Sequence, residues 1–247
     1  MITLGIDIGG SGIKAAPVDT ATGEMTAPRR RLPTPEPSTP EDMARIFREI
    51  TDHFQWSGPI GCGFPSVVRD GVILTAANID PSWVGVNAAE IVRKATGCSA
   101  VILNDADAAG LAEMRFGAGR DYQTKGTVLV ITIGTGIGSA IFTDGHLLRN
   151  TEFGHMIVRG KDAEWRASAA VRDRKQLGWK AYAKRVNEYL FFMERLFWPD
   201  LIIIGGGISK ESKKFFSYLD TKAKLVPAQM MNNAGIVGAA MAAEAAG

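Results

Sequence analysis

The chain opens with apolar residues alternating with small or polar ones, LGIDIG over residues 4–9, and AAPVD continues the pattern after a Gly/Ser turn. Period-two alternation interrupted by glycines predicts a strand hairpin with a tight tip. Residues 28–40, PRRRLPTPEPSTP, are rich in proline and charge and predict an extended surface connection. The period then lengthens. Met43, Ile46, Phe47, Ile50 and Phe54 recur at helical spacing, which predicts an amphipathic helix over 40–56. Thr39 stands at its N-cap, Pro40 at the first helical position, and Glu41 and Asp42 in the first turn.

GPIGCGFPSVV (58–68) predicts another strand ending in a Gly/Pro loop, with VILT (72–75) paired beside it. AAEIVRKATG (88–97) reads as a helix stopped by Gly97. A strand at 101–103 then runs into a helix reaching Phe116, and TVLVITIGTGIGSAIF (127–142) reads as two strands joined by a Gly/Thr turn. Residues 163–176 predict a basic helix. Trp179, Tyr182, Val186, Tyr189, Leu190, Met193 and Phe197 form one stripe of a long helix that Pro199 ends. DLIIIGGGIS (200–209) is a fully buried type of strand followed by glycines, and NAGIVGAAMAAEAAG is a helix of small residues suited to close packing. Strands alternating with helices make an α/β protein. The two glycine-tipped hairpins, alike in type, predict two related lobes with a ligand cleft between them.

Composition narrows the class. With 247 residues, 46% of them hydrophobic, the chain is long enough for one large domain or two lobes. Cys62 and Cys98 make neither a disulfide framework nor a CxxC metal pair, which predicts a reducing cytoplasm and no structural zinc. MITLGIDIGG has no basic signal-peptide start, and the apolar runs are broken well short of a membrane span, so neither secretion nor a membrane is expected. The net charge of +2 hides an asymmetry: residues 1–158 hold 13 Lys/Arg against 17 Asp/Glu, and residues 159–247 hold 15 against 9. The basic excess is densest at 159–185. That stretch reads either as a solvated face or as an electrostatic footprint for a polyanion.

Three glycine turns, IDIGGSGIK (6–14), IGTGIGS (133–139) and IGGGIS (204–209), each end a buried strand in residues with little side chain, so backbone N–H groups can approach an anion. None has the Walker spacing or a Rossmann GxGxxG context. In VILNDADAAG (101–110), Asn104 and Asp105 taken alone read first as a helix N-cap, and second as an acceptor-fixing residue beside a general base. In NTEFGH (150–155), Glu152 and His155 offer polar groups to hydroxyls, or are two polar residues of a surface loop. HExxH is absent, so no metal site is assigned there.

DIGGSGIK, NDADAAGLAE, ITIGTGIGSA, EFGH and IIIGGGIS together resemble the successive signatures of the ROK sugar kinases, in order and at family spacing from residue 4 to about 242. RGKDAEWRASAAVRDRK, LFWPDLIIIGGGISK and VPAQMMNNAGIVGAA resemble that family's polyphosphate-using glucokinases more than its ATP-only branch. The resemblance implies an actin-like ATPase (ribonuclease H-like) fold, with a small N-terminal lobe over 1–106, a larger lobe over 107–234, and the C-terminal helix 235–247 packed back on the first. It implies Asp105 as the base that takes the proton of a sugar 6-hydroxyl. Asn104, Glu152, His155 and Glu164 hydrogen-bond the other hydroxyls, and Asn78 joins them from ANIDPSW, a segment with one residue more than its family counterpart. Asp7, Gly9, Gly10, Ser11, Lys14, Thr135, Gly136, Gly206 and Gly207 line the phosphate path.

The same resemblance implies glucose as acceptor, with mannose open, and inorganic polyphosphate as donor, with ATP open. Mg2+ travels with the donor, no zinc is held, and the assembly is a homodimer. Residues 156–170 contain no cysteine, unlike the zinc loop of many ROK members. The first glycine motif begins at residue 5, so the DNA-binding module of the family's repressors is not expected, nor a nucleic-acid partner. Two rival readings remain at this level: an ATP-dependent hexose or N-acylhexosamine kinase of the same family, and a non-catalytic sugar sensor or actin-like structural protein.

Overall fold

The computed structural model describes residues 1–10, 12–77 and 79–245; Ser11 and Asn78 lie outside the described residues. The chain divides into two compact units of nearly equal length, Met1–Ala112 with Asn233–Gly247, and Glu113–Asn232. The division falls inside a helix, later than the 106/107 boundary read from sequence.

In the first unit, β1 (Ile2–Gly9) and β2 (Gly12–Asp19) form the expected hairpin, in register from Ile2 opposite Asp19 to Gly9 opposite Gly12. Short strands β3 (Glu24–Met25) and β4 (Arg30–Leu32) both pair with β2. The proline-rich connection is therefore part of the sheet at its start, because Leu32 turns inward and is buried. Helix α1 (Pro40–Phe54) begins at Thr39, whose hydroxyl accepts from the Asp42 amide. Strand β5 (Ile60–Phe64) runs parallel to β1. The VILT segment does not join it. Instead β6 (Val68–Arg69) and β7 (Val72–Ile73) make a separate ribbon, since the far edge of β5 is taken by β8 (Ala100–Asn104). Helix α2 (Ala88–Thr96) stops at Gly97 in the left-handed conformation, and α3 (Asp105–Phe116) follows β8 without a loop.

The second unit is built on a sheet of the same type. Strands β9 (Thr127–Ile133), β10 (Ile137–Thr143) and β11 (His146–Leu148) form an antiparallel meander. β12 (Ile157–Val158) and β13 (Lys161–Asp162) make a small hairpin of their own. The basic helix expected over 163–176 is two, α4 (Glu164–Ala167) and α5 (Ala169–Arg174). Ser168 breaks it by taking extended backbone, φ −66° and ψ 158°, so that its amide closes one helix and its carbonyl opens the next. Helix α6 (Trp179–Phe197) buries Tyr182, Val186, Tyr189, Leu190 and Met193 as the stripe requires. β14 (Leu201–Gly205), buried at every position, lies between β9 and β15 (Lys224–Pro227), with α7 (Ser212–Phe215) between the last two in sequence.

Helix α8 (Ala234–Glu244) belongs to the first unit and explains the small-residue tail. A Cβ on Gly5 or Gly61 would lie 2.0 Å or 1.8 Å from the carbonyl oxygens of Ile236 and Ala239, and one on Gly238 would lie 1.7 Å from that of Ala108. Glycine on both sides lets α8 touch the backbone of β1, β5 and α3 directly. The core of this unit gathers Leu4, Ile6, Phe47, Phe64 and Trp83; that of the other gathers Leu129, Ile131, Tyr182, Ile202 and Phe215. Cys62 and Cys98 are both free and buried. Among the described residues no helix is long and apolar enough to cross a membrane.

Candidate active site

In the first unit the junction of β8 and α3 carries both residues that the sequence left open. Asn104 is buried; its Oδ1 accepts from the amides of Ala106 (2.9 Å) and Asp107 (3.1 Å), and its Nδ2 donates to the Ser66 carbonyl at 3.1 Å. It is the helix cap, locked from two sides. Asp105 is only partly buried, at the first position of α3, and its Oδ1 accepts from the Ala106 amide at 2.8 Å. Gly63 in β5 lies against it, and a Cβ there would make ordinary contact with the Asp105 Cα at 3.5 Å. Asp7 and Lys14 face each other across the β1–β2 register, with Nζ 2.9 Å from Oδ2, and Gly235 leaves room for the Asp7 carboxylate. Gly9 ends β1, and Gly10 in the turn after it has open space where a side chain would stand.

In the second unit Glu152, His155 and Glu164 form one cluster. The segment leading to Glu152 is pinned by a buried reciprocal pair. Ser139 Oγ donates to the Thr151 carbonyl (2.9 Å), and Thr151 Oγ1 donates to the Ser139 carbonyl (2.7 Å). Gly154 passes so close to β10 that a Cβ would lie 2.1 Å from the Ile137 carbonyl oxygen, which explains the glycine in EFGH. Glu164 Oε2 accepts from the Ile137 amide at 3.3 Å. Nδ1 of His155 lies 2.9 Å from Asp162 Oδ2, and its Nε2 lies 3.9 Å from Glu152 Oε2. The Asp162 hydrogen bond, with Glu164 and Glu152 nearby, holds the His155 pKa above its ordinary value against partial burial. Burial raises the Glu152 pKa; His155 works against that, and the neighbouring Glu164 carboxylate adds to it.

The phosphate-type turns of this unit lie next to each other. Gly206, φ +75°, packs so tightly that a Cβ would lie 2.5 Å from the Ile133 carbonyl oxygen, and Gly207 has open space. Thr135 and Gly136 sit in the turn after Ile133, where the Gly134 amide donates to the Gly136 carbonyl at 3.0 Å. The Ala170 amide at the start of α5 donates to the Gly134 carbonyl at 3.2 Å, which brings the basic segment to the edge of that turn.

Asp162, Ser139, Thr151 and Ser66 were missed from the sequence: the last three meet partners 12 or 38 residues away, and Asp162 reaches His155 through a hairpin too short to show a period. His155, Asp162 and Glu164 present ligand-type atoms within 4.8 Å of one another, so a small cation is an alternative occupant of the cluster. A partly buried carboxylate and a glycine-ended strand in the first unit, and a polar cluster with two glycine turns in the second, are each of the kind that suits transfer of a phosphoryl group to a hydroxyl compound.

Comparison with known proteins gives the class. The crystal structure of an inorganic polyphosphate/ATP-glucomannokinase from Arthrobacter sp. strain KM matches with a TM-score of 0.96 at 43% identity, covering 100% of this chain and 99% of that one. A ROK family glucokinase from Streptomyces griseus, in complex with glucose and AMPPNP, matches with a TM-score of 0.84 at 26% identity, covering 99% and 100%. The fold is the actin-like ATPase fold of sugar kinases. A polyphosphate glucokinase of Mycobacterium tuberculosis (strain CDC 1551 / Oshkosh) is 48% identical over 242 residues, 98% of this chain and 91% of that protein. The ROK family model matches residues 3–176, and the chain belongs to the ROK family.

Proposed function

We propose that this chain is a phosphotransferase that moves the terminal phosphoryl group of inorganic polyphosphate to the 6-hydroxyl of glucose. The observation that supports it most is the near-complete coverage of a polyphosphate glucokinase at 48% identity. In this reading Asp105 accepts the proton of the 6-hydroxyl as the bond to phosphorus forms, and Asn104 fixes the start of α3 that carries it. Glu152, His155 and Glu164 hydrogen-bond the other hydroxyls, and buried partners of this kind discriminate strongly against a sugar lacking one. Backbone amides at Gly9, Gly10, Thr135, Gly136, Gly206 and Gly207, with Lys14, receive the phosphates.

Mg2+ belongs to this reading as a companion of the donor. The carboxylate of Asp7, a hard oxygen donor beside Lys14, is of the type it takes, and when bound it spreads phosphate charge. ATP as a second donor and mannose as a second acceptor follow the name of the Arthrobacter relative. A homodimer and a cytoplasmic location complete the proposal, and light scattering checks the first.

The deciding experiment is glucose 6-phosphate formation with magnesium and a single donor, long-chain polyphosphate or ATP. Faster turnover with polyphosphate is expected. Turnover with ATP alone would replace this reading by that of an ATP-dependent hexose kinase, and sugar binding without turnover would leave a sensor.

A further inference from the structure

The hydrogen bond between His155 and Asp162 commits one side of the imidazole and frees the other. We propose that Asp162 is a positioning residue of the sugar site: it holds Nδ1 of His155 and so presents Nε2 to a sugar hydroxyl. The proposal rests on the reading of His155 as a sugar-binding residue.

The contact is produced by a turn. Arg159 and Gly160 both take positive φ, +50° and +74°, and join β12 to β13 through two residues. Two successive positive φ values make the tight hairpin whose twist matches its strands. The hairpin sets Ile157 opposite Asp162 and lets the Ala163 amide donate to the Met156 carbonyl at 2.9 Å. Asp162, seven residues beyond His155, is thereby returned to its side.

An ionised carboxylate can only accept, so a carboxylate oxygen 2.9 Å from Nδ1 requires the proton on that nitrogen. Nε2 then serves the ligand. Its 3.9 Å separation from Glu152 Oε2 is too long for a direct hydrogen bond, and a single hydroxyl oxygen within reach of both atoms bridges it. In the charged ring that Asp162, Glu152 and Glu164 all favour, Nε2 donates to the hydroxyl oxygen and the hydroxyl O–H donates a hydrogen bond to the Glu152 carboxylate. Without Asp162 the ring is free to turn and to place its proton on either nitrogen.

The test uses the full-length protein as wild type, Asp162→Ala and Asp162→Asn, each checked for folding by circular dichroism. Losing a charge-assisted hydrogen bond costs a factor of about 10–100. The expected result for Asp162→Ala is a KM for glucose raised by about that factor, with kcat and the donor KM near wild type. Asp162→Asn, whose carbonyl still accepts from Nδ1–H, recovers part of the loss. Nitrogen-15 spectra of histidine-labelled protein read the ring directly, and with three histidines in the chain His155→Gln assigns its signal. At high pH the wild type should show the Nδ1–H tautomer and Asp162→Ala the Nε2–H tautomer.

An unchanged tautomer, or an unchanged KM for glucose in both variants, overturns the proposal. So does a His155 signal that moves with micromolar zinc or magnesium and returns with chelator, because the cluster is then a cation site. The tautomer is read without turnover. A wild type inactive with every donor would therefore sink the functional reading, while the spectrum still decides the Asp162 assignment.

Discussion

Asp105 is held at the first position of α3, one residue after a buried cap that hydrogen-bonds in two directions. The position is rigid, so a change of chemistry there need not change the fold. Asp105→Asn keeps the shape and an oxygen for the Ala106 amide but cannot take a proton. Its kcat should fall by on the order of 10²–10⁴-fold, with an unchanged melting temperature. A kcat close to wild type removes Asp105 from the base role. His155 and Glu152 make a second prediction, in pH. The folded pKa of each lies above its ordinary value, so the native state binds more protons than the unfolded chain as each titrates. Stability from His155 is full below its unfolded pKa and is lost as pH rises through the higher folded one; Glu152 loses stability in the same direction at lower pH. His155 is substantially exposed, so solvent screens the effect and the slope is shallow. Melting temperature measured upward from about pH 6.5, the free histidine value, should decline in wild type and flatten in His155→Gln.

At the scale of elements, α8 is the tightest joint. Gly61→Ala would drive a methyl group against the Ala239 carbonyl oxygen, with backbone on both sides and nothing flexible to yield. Overpacking of this sort costs about 1–3 kcal/mol or more, and thermal unfolding should show a drop of several degrees. Thr39→Ala removes a cap and should cost about 1 kcal/mol by denaturant titration. The elements legible in the sequence are those whose signal is local: the β1–β2 hairpin, α1 with its Thr39 cap, the α6 stripe, and Gly97 behind α2. The motif order also carried the family. Elements that failed to show are too short to carry a period, depend on a distant edge, or turn on one residue's backbone. Two-residue strands such as β12 and β13 have no period to detect, yet they bring Asp162 to His155. β15, with Pro227 at its end, forms where β14 offers it an edge. Ser168 splits the basic segment although nothing in its composition stops a helix.

Over the whole molecule, charge is the property with a functional consequence. The basic excess at 159–185 is partly spent within the chain: Arg159 and Arg166 both pair with Glu188, which lies just past the stretch, and Arg172 pairs with Asp173 while its guanidinium lies 3.7 Å over the Trp179 ring. Arg174, Lys175, Lys180 and Lys184 are exposed and have no ion-pair partner among the described residues. Lys161 in β13 is likewise exposed and without an ion pair among the described residues; the other four follow the α5 start that hydrogen-bonds to the Gly134 turn, and they are the group offered to a polyanion. A flexible polyanion neutralised at about four points should lose affinity by roughly 50-fold between 50 and 200 mM salt, by analogy with single-stranded nucleic acid. The KM for long-chain polyphosphate should rise accordingly. Tripolyphosphate, too short to reach all four, should respond far less. Lys180→Gln with Lys184→Gln should halve the logarithmic slope and leave the KM for glucose alone. A long-chain KM that ignores salt would return the four residues to the role of a solvated face, and donor choice would then rest on the glycine turns alone.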